Sequence, residues 1–158
     1  MNLKINIASA ALLLISSSAA LGADSKIVTD ALSSAEWISK ALTSSGYKAD
    51  FSLNSLKEVD RFFDEQTKDG KAKAGGLLSE KLGQRLFGIG SYVGEVIRRK
   101  RDGKWAGNDA DPQAEINLSL KLNSGATIWP VQRVMKRMKN GREDSIYAYG
   151  ALAAKAEK

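Results

Sequence analysis

The 158-residue sequence contains neither cysteine nor histidine. Without cysteine no disulfide can form, so stability has to come from packing and hydrogen bonds. Without histidine, Ser-His-Asp and Cys-His mechanisms lose their usual general base near neutral pH. Zinc sites built on His or Cys are excluded with them. An enzyme on this chain would have to work with carboxylates, Lys, Tyr or a cation held by oxygen ligands. Phosphate-loop, EF-hand and nucleotide-binding glycine patterns are absent as well, and no cofactor is implied. Gly88-Ile89-Gly90 falls inside a helical pattern and is not such a motif.

One long uncharged run is present, at the start. Lys4 precedes Ile5 to Leu21, which is most apolar over Ala10–Ile15 and is followed by Gly22. A positive start, an apolar stretch and small residues around the end are the layout of a secretory signal peptide. Residues 1–22 are therefore expected to be a cleaved leader, with Ala23 the second choice for the last residue removed. Residues 23–158 are expected to form a single domain, periplasmic or secreted. Ser16-Ser17-Ser18 interrupts the run, whereas a retained anchor needs ~20 predominantly apolar residues. No later stretch is long and apolar enough to span a bilayer.

Lys and Arg number 24 against 18 Asp and Glu, a formal net charge of +6. A leader ending at Gly22 takes away only Lys4, so the basic excess belongs to the folded part. It points to an acidic partner or surface.

Hydrophobic spacing gives the architecture. Ile27, Ala31, Ala35, Ile38 and Ala41/Leu42 recur at helical intervals up to Gly46, with Trp37 one step off the stripe. Ser55-Leu56-Lys57-Glu58 matches a capping box opening a second helix to about Gln66. Thr67–Gly76, rich in Lys and Gly, reads as a flexible basic loop. Leu78, Leu82, Leu86, Ile89, Val93 and Val96/Ile97 form one continuous stripe, marking a central third helix. Gly83, Gly90 and Gly94 flank that stripe at a cost of ~2–3 kcal/mol relative to alanine, which close approach of another backbone or ring would offset. The period then changes. Lys104-Trp105-Ala106, the alternating Glu115–Leu122 and Ala126–Trp129 predict a hairpin or a three-stranded meander. Pro130 opens a further helix ending at Asn140-Gly141, and Glu143 and Asp144 favour the start of a last one through Tyr149. The expected fold is α+β, four to five helices packed on a small two- or three-stranded antiparallel sheet.

Gly90-x-Tyr92-x-Gly94-Glu95, running on to Arg98-Arg99 and then Gly103-Lys104-Trp105, carries a resemblance. With Ile128-Trp129-Pro130 and Asn140-Gly141-Arg142-Glu143-Asp144-Ser145, it resembles a family of small, often exported bacterial proteins known only as a domain of unknown function. The resemblance covers roughly residues 55–150. It implies a helix-plus-hairpin domain and no activity.

Candidate binding residues are Glu95, Arg98, Arg99, Arg101, Trp105, Trp129, Arg133 and Arg137. Glu95 lies on the side of its helix away from the stripe, four residues before Arg99, and reads first as a surface ion pair. The sharper alternative has it facing the sheet, holding a strand N–H or meeting a ligand. Arg98–Arg101 and Arg133, Lys136, Arg137, Lys139 and Arg142 are two basic clusters able to meet an anionic ligand or to remain a solvated surface. Trp105, Trp129, Tyr147 and Tyr149 suit either a groove or a small core. Asp60 and Asp64 sit one turn apart, as a solvated face or as an acid/base pair. The function expected is an exported binding module for an acidic protein or an anionic envelope component, nucleic acid being disfavoured by export. The alternative is a carboxylate-based hydrolase of envelope material.

Overall fold

The computed structural model describes residues 25–155. The expected leader, residues 1–22, lies outside the described residues. Within them the order is α1 (Lys26–Ser44), α2 (Ser55–Gln66), β1 (Thr67–Lys68), β2 (Lys71–Ala72), α3 (Leu82–Arg101) and β3 (Gly103–Ala106). There follow the single turn α4 (Ala114–Asn117), β4 (Ser119–Leu122), β5 (Thr127–Ile128), α5 (Pro130–Asn140), a 3-10 turn (Arg142–Asp144) and α6 (Ile146–Ala153). The fold is α+β, with a two-stranded hairpin β1–β2 and an antiparallel sheet in the order β3-β4-β5. No helix of the described residues is long and apolar enough to cross a membrane.

Helix α3 is the axis. Every residue from Leu86 to Ile97 is buried, small and polar ones included. Three glycines make that enclosure possible. Gly88 packs on Ile38 of α1. A Cβ on Gly90 would lie 2.5 Å from the Val131 Cα of α5, so here a backbone meets a backbone. A Cβ on Gly94 would overlap the six-membered ring of Trp105 and touch Pro130. The glycine flank thus faces a backbone and an aromatic ring, as its cost in helix propensity predicted. Gly83 does not share in this, since nothing lies within 4 Å of its Cβ position. One core joins α1, α2, α3 and the sheet, and a smaller one gathers Ile27, Val28, Ala31, Phe87, Leu118 and Val131.

Four expectations change in detail. Helix α3 starts at Leu82, and Leu78 reaches the core from the preceding turns. Glu115–Asn117 form part of a helical turn, so the alternating run becomes strand only from Ser119. The capping box does not close. Asn54 is the N-cap of α2, Ser55 Oγ bonds instead to Ser52 O (2.6 Å) and the Tyr92 hydroxyl (2.6 Å), and Glu58 accepts from the Lys48 N–H. The basic loop holds the β1–β2 hairpin, whose turn residues Asp69 and Gly70 both have positive φ. Asp-Gly is the pair such a two-residue turn requires, and Gly70 abuts the Lys139 carbonyl.

Alanine at these glycines separates close approach from helix propensity. Gly94→Ala is expected to lower stability by about 1–3 kcal/mol through overpacking. Gly83→Ala, into open space, should raise it by up to about 1 kcal/mol. Urea melts of the two variants check the opposite signs; equal effects would contradict the packing.

Candidate functional site

Glu95 is 2% exposed, so the surface-pair reading is corrected. The neighbouring Gly94 lets the six-membered ring of Trp105 approach α3 closely, and this brings the indole N–H to the carboxylate. Trp105 Nε1 donates to Glu95 Oε1 at 2.7 Å. Arg98 adds a fork, Nε to Oε1 at 2.6 Å and Nη2 to Oε2 at 3.0 Å, and Arg99 Nε reaches Oε2 at 3.3 Å. Burial alone would push the Glu95 carboxyl up; Arg98, Trp105 and Arg99 more than offset it and hold it below its usual range. Arg99 then spans to Glu36 at 2.5 Å and lies 3.6 Å over the Phe51 ring. Glu95 faces the sheet, but the N–H it holds is the Trp105 indole and not a strand backbone N–H.

Arg137 is corrected in the same way. It sits in a basic sequence cluster yet is 2% exposed. Its Nε donates to Asp60 Oδ1 (2.8 Å), and its Nη2 donates to the Asp60 carbonyl (3.0 Å) and to Asp64 Oδ1 (2.6 Å). Asp60 also accepts from Ser145 Oγ and from the backbone N–H groups of Ile146 and Tyr147, capping α6 from a distant helix. Arg142 pairs with the other Asp64 oxygen at 3.0 Å. Asp60 and Asp64 are therefore neither a solvated face nor a free acid pair. Burial opposes ionisation of Asp64, but Arg142 and Arg137 prevail and lower its carboxyl. A general acid needs the reverse shift, so Glu95 and Asp64 are unsuited to that role. Among the described residues no group of three or more acidic side chains is placed to hold a metal ion.

The remaining cations form a different surface. In the sheet register Lys104 stands opposite Lys121, and Lys121 opposite Thr127. Facing residues of adjacent strands share one side of a sheet, and Trp105 occupies the other, so both lysines are exposed. Thr127 is also a wall of a groove completed by Ile128, Trp129, Gln132, Arg133, Lys136 and Tyr149. Trp129 is 44% exposed there. Arg133 is fixed by Asp144 at 2.6 Å and stacks 4.7 Å from the Tyr149 ring centre. Burial pushes the Tyr149 phenol up to about 12, so it stays neutral.

Of the candidate residues, the structure brings Trp129 and Arg133 together with Lys136 and Tyr149. Arg98, Arg99 and Trp105 gather around the buried Glu95, the two arginines reaching it from the surface, and Arg137 belongs to another cluster. Arg101 closes α3, half-buried and without an ion pair among the described residues. Lys104 and Lys121 were missed. The Asn123-Ser124-Gly125 turn signals only the pairing of Lys121 with Thr127; the pairing of Lys104 with Lys121 spans the long 107–118 connection, which carries no local register signal. No family model, curated protein or solved structure matches the chain.

Both depressed carboxyls make folding pH-dependent with a defined sign. An acid with a lowered folded-state value contributes stability that is complete above its unfolded value, ~4.3 for Glu and ~3.9 for Asp. That contribution disappears as pH falls through the folded value. Stability measured by urea between pH 7 and 2 should accordingly drop below about pH 4.5. Glu95→Gln should be less stable at pH 7 and lose less on acidification. Parallel pH profiles for the variant and the parent would contradict the buried anion.

Proposed function

We propose that the chain is an exported, non-catalytic binding module. It recognises an anionic partner, an acidic protein or an anionic envelope component, along the strip from Lys104 through Lys121 and Thr127 into the Trp129 groove. The observation that carries this reading is the Lys104–Lys121 pair. Like charges directly opposite on neighbouring strands destabilise the free protein, and an anion laid across them relieves the repulsion. Lys136 extends the same charge to the groove, where Arg133 is paired with Asp144, and Trp129 offers the large amphipathic side chain favoured in recognition sites. The N-terminal run of residues 5–21 supports export. The hydrolase alternative is disfavoured, because Asp60, Asp64 and Glu95 are all held by arginines.

The test is a pull-down from envelope extract with the parent and with Lys104→Ser/Lys121→Ser/Lys136→Ser. At low salt the triple variant should lose at least tenfold in affinity, and the parent should weaken as salt rises, because exposed charges are screened over ~8–10 Å at physiological ionic strength. Melting should change little, since surface substitutions are usually worth ~0.5 kcal/mol or less. Arg98→Ser/Arg99→Ser should instead lower stability by uncovering Glu95. Unchanged affinity of the triple variant at both salts, or turnover of a peptidoglycan substrate by the parent, would overturn the reading.

A further inference from the structure

A second recess lies on the opposite flank of α3, apart from the cationic strip. It is open at its mouth and offers about 150 Å³ between α1, α2 and the turns before α3. Its floor is apolar: Ile38, Leu42, Phe62, Leu78 and Ile89. That volume is the size of an apolar cavity that accepts a single benzene ring. At the mouth stand Trp37, 62% exposed, and Leu77, 40% exposed. Arg85 shares the mouth and donates to the Leu77 carbonyl. The adjoining groove places Lys81, Ser33, Ser34 and Gln84 on the far side of Trp37. Lys81 has no ion pair among the described residues, and Glu36, the residue before Trp37, is engaged by Arg99.

We propose that this recess binds the apolar group of a small amphiphile with an anionic head: an aryl or short alkyl carboxylate or phosphate. The floor supplies a hole for one ring or a short chain, and the mouth is cationic on the side where the head would emerge. A protein partner is disfavoured by area. A stable interface buries ~800 Å² on each side around an apolar centre, whereas only Trp37 and Leu77 offer large exposed apolar surface at this mouth. A small ligand needs only the hole and its rim. Trp37 then has a role that its place beside the helical stripe did not give it.

The test uses the chain itself with 3-phenylpropionate, 2-phenylethyl phosphate, 3-phenylpropanol and 3-phenylpropylamine, followed by NMR titration. The carboxylate or the phosphate should saturate with a dissociation constant of about 1 mM or tighter. Shifts should centre on Trp37, Leu78 and Ile89, and the stronger of the two anions identifies the head. The alcohol should bind about fivefold more weakly than that anion, and Lys81→Gln should close the gap. From butanoate to octanoate, affinity should rise about fourfold per methylene until the recess is full. Ala41→Phe, which fills the recess, and Trp37→Ala, which opens its rim, should each weaken binding at least tenfold; the second is an exposed change that leaves the fold intact. The proposal is overturned by absence of saturable binding to the parent. It is overturned equally by an alcohol or amine binding as tightly as the anions, or by undiminished binding in the Trp37→Ala variant.

Discussion

Trp105 lying on Gly94 determines how the sheet meets the central helix. The ring fits only because residue 94 has no side chain, and it is held in place by the carboxylate of the next residue, Glu95. With Trp105 turned inward, the period of two along β3 turns Lys104 outward. The register then sets Lys121 beside it and Thr127 beyond. The exposed cationic row is thus a consequence of one aromatic contact on the buried side.

The same economy governs the acids. Glu95 is enclosed by two arginines and an indole, and Asp60 by an arginine, a serine and two backbone N–H groups. Each is a buried or half-buried anion with its lone pairs answered, the condition under which such a charge is tolerated. Asp60 ties α2, α5 and α6 together, a task that a disulfide could serve in a domain with cysteines. Among the described residues, what remains exposed and unpaired is predominantly lysine, while the two fully buried charged side chains, Glu95 and Arg137, are opposite in sign.

The helices, the meander and the glycine flank were legible because they rest on periodicity and on the cost of glycine, both local properties. The one-turn α4 was not, since Glu115–Leu122 alternates throughout and only tertiary contact converts its first part into a helical turn. Ser55 matched a capping pattern, but the Tyr92 hydroxyl competed for its side chain. Asp-Gly at 69–70 did signal the β1–β2 hairpin and was masked by the surrounding lysines and glycines. For the site, Trp129 and Arg133 could be read from residue type. Arg137 could not be separated from its cluster, because its partners Asp60 and Asp64 lie more than seventy residues away. Burial of a charge is decided by such distant partners and leaves no local mark.

The contact between Glu95 and Trp105 is the point at which these properties meet, and its energy can be isolated. A double-mutant cycle with Glu95→Ala and Trp105→Phe, read by urea denaturation at pH 7, removes the indole N–H bond while cancelling the separate losses at each residue. A coupling above about 1 kcal/mol is expected for a buried, charge-assisted hydrogen bond. Additivity within about 0.5 kcal/mol would show that the sheet is positioned without it.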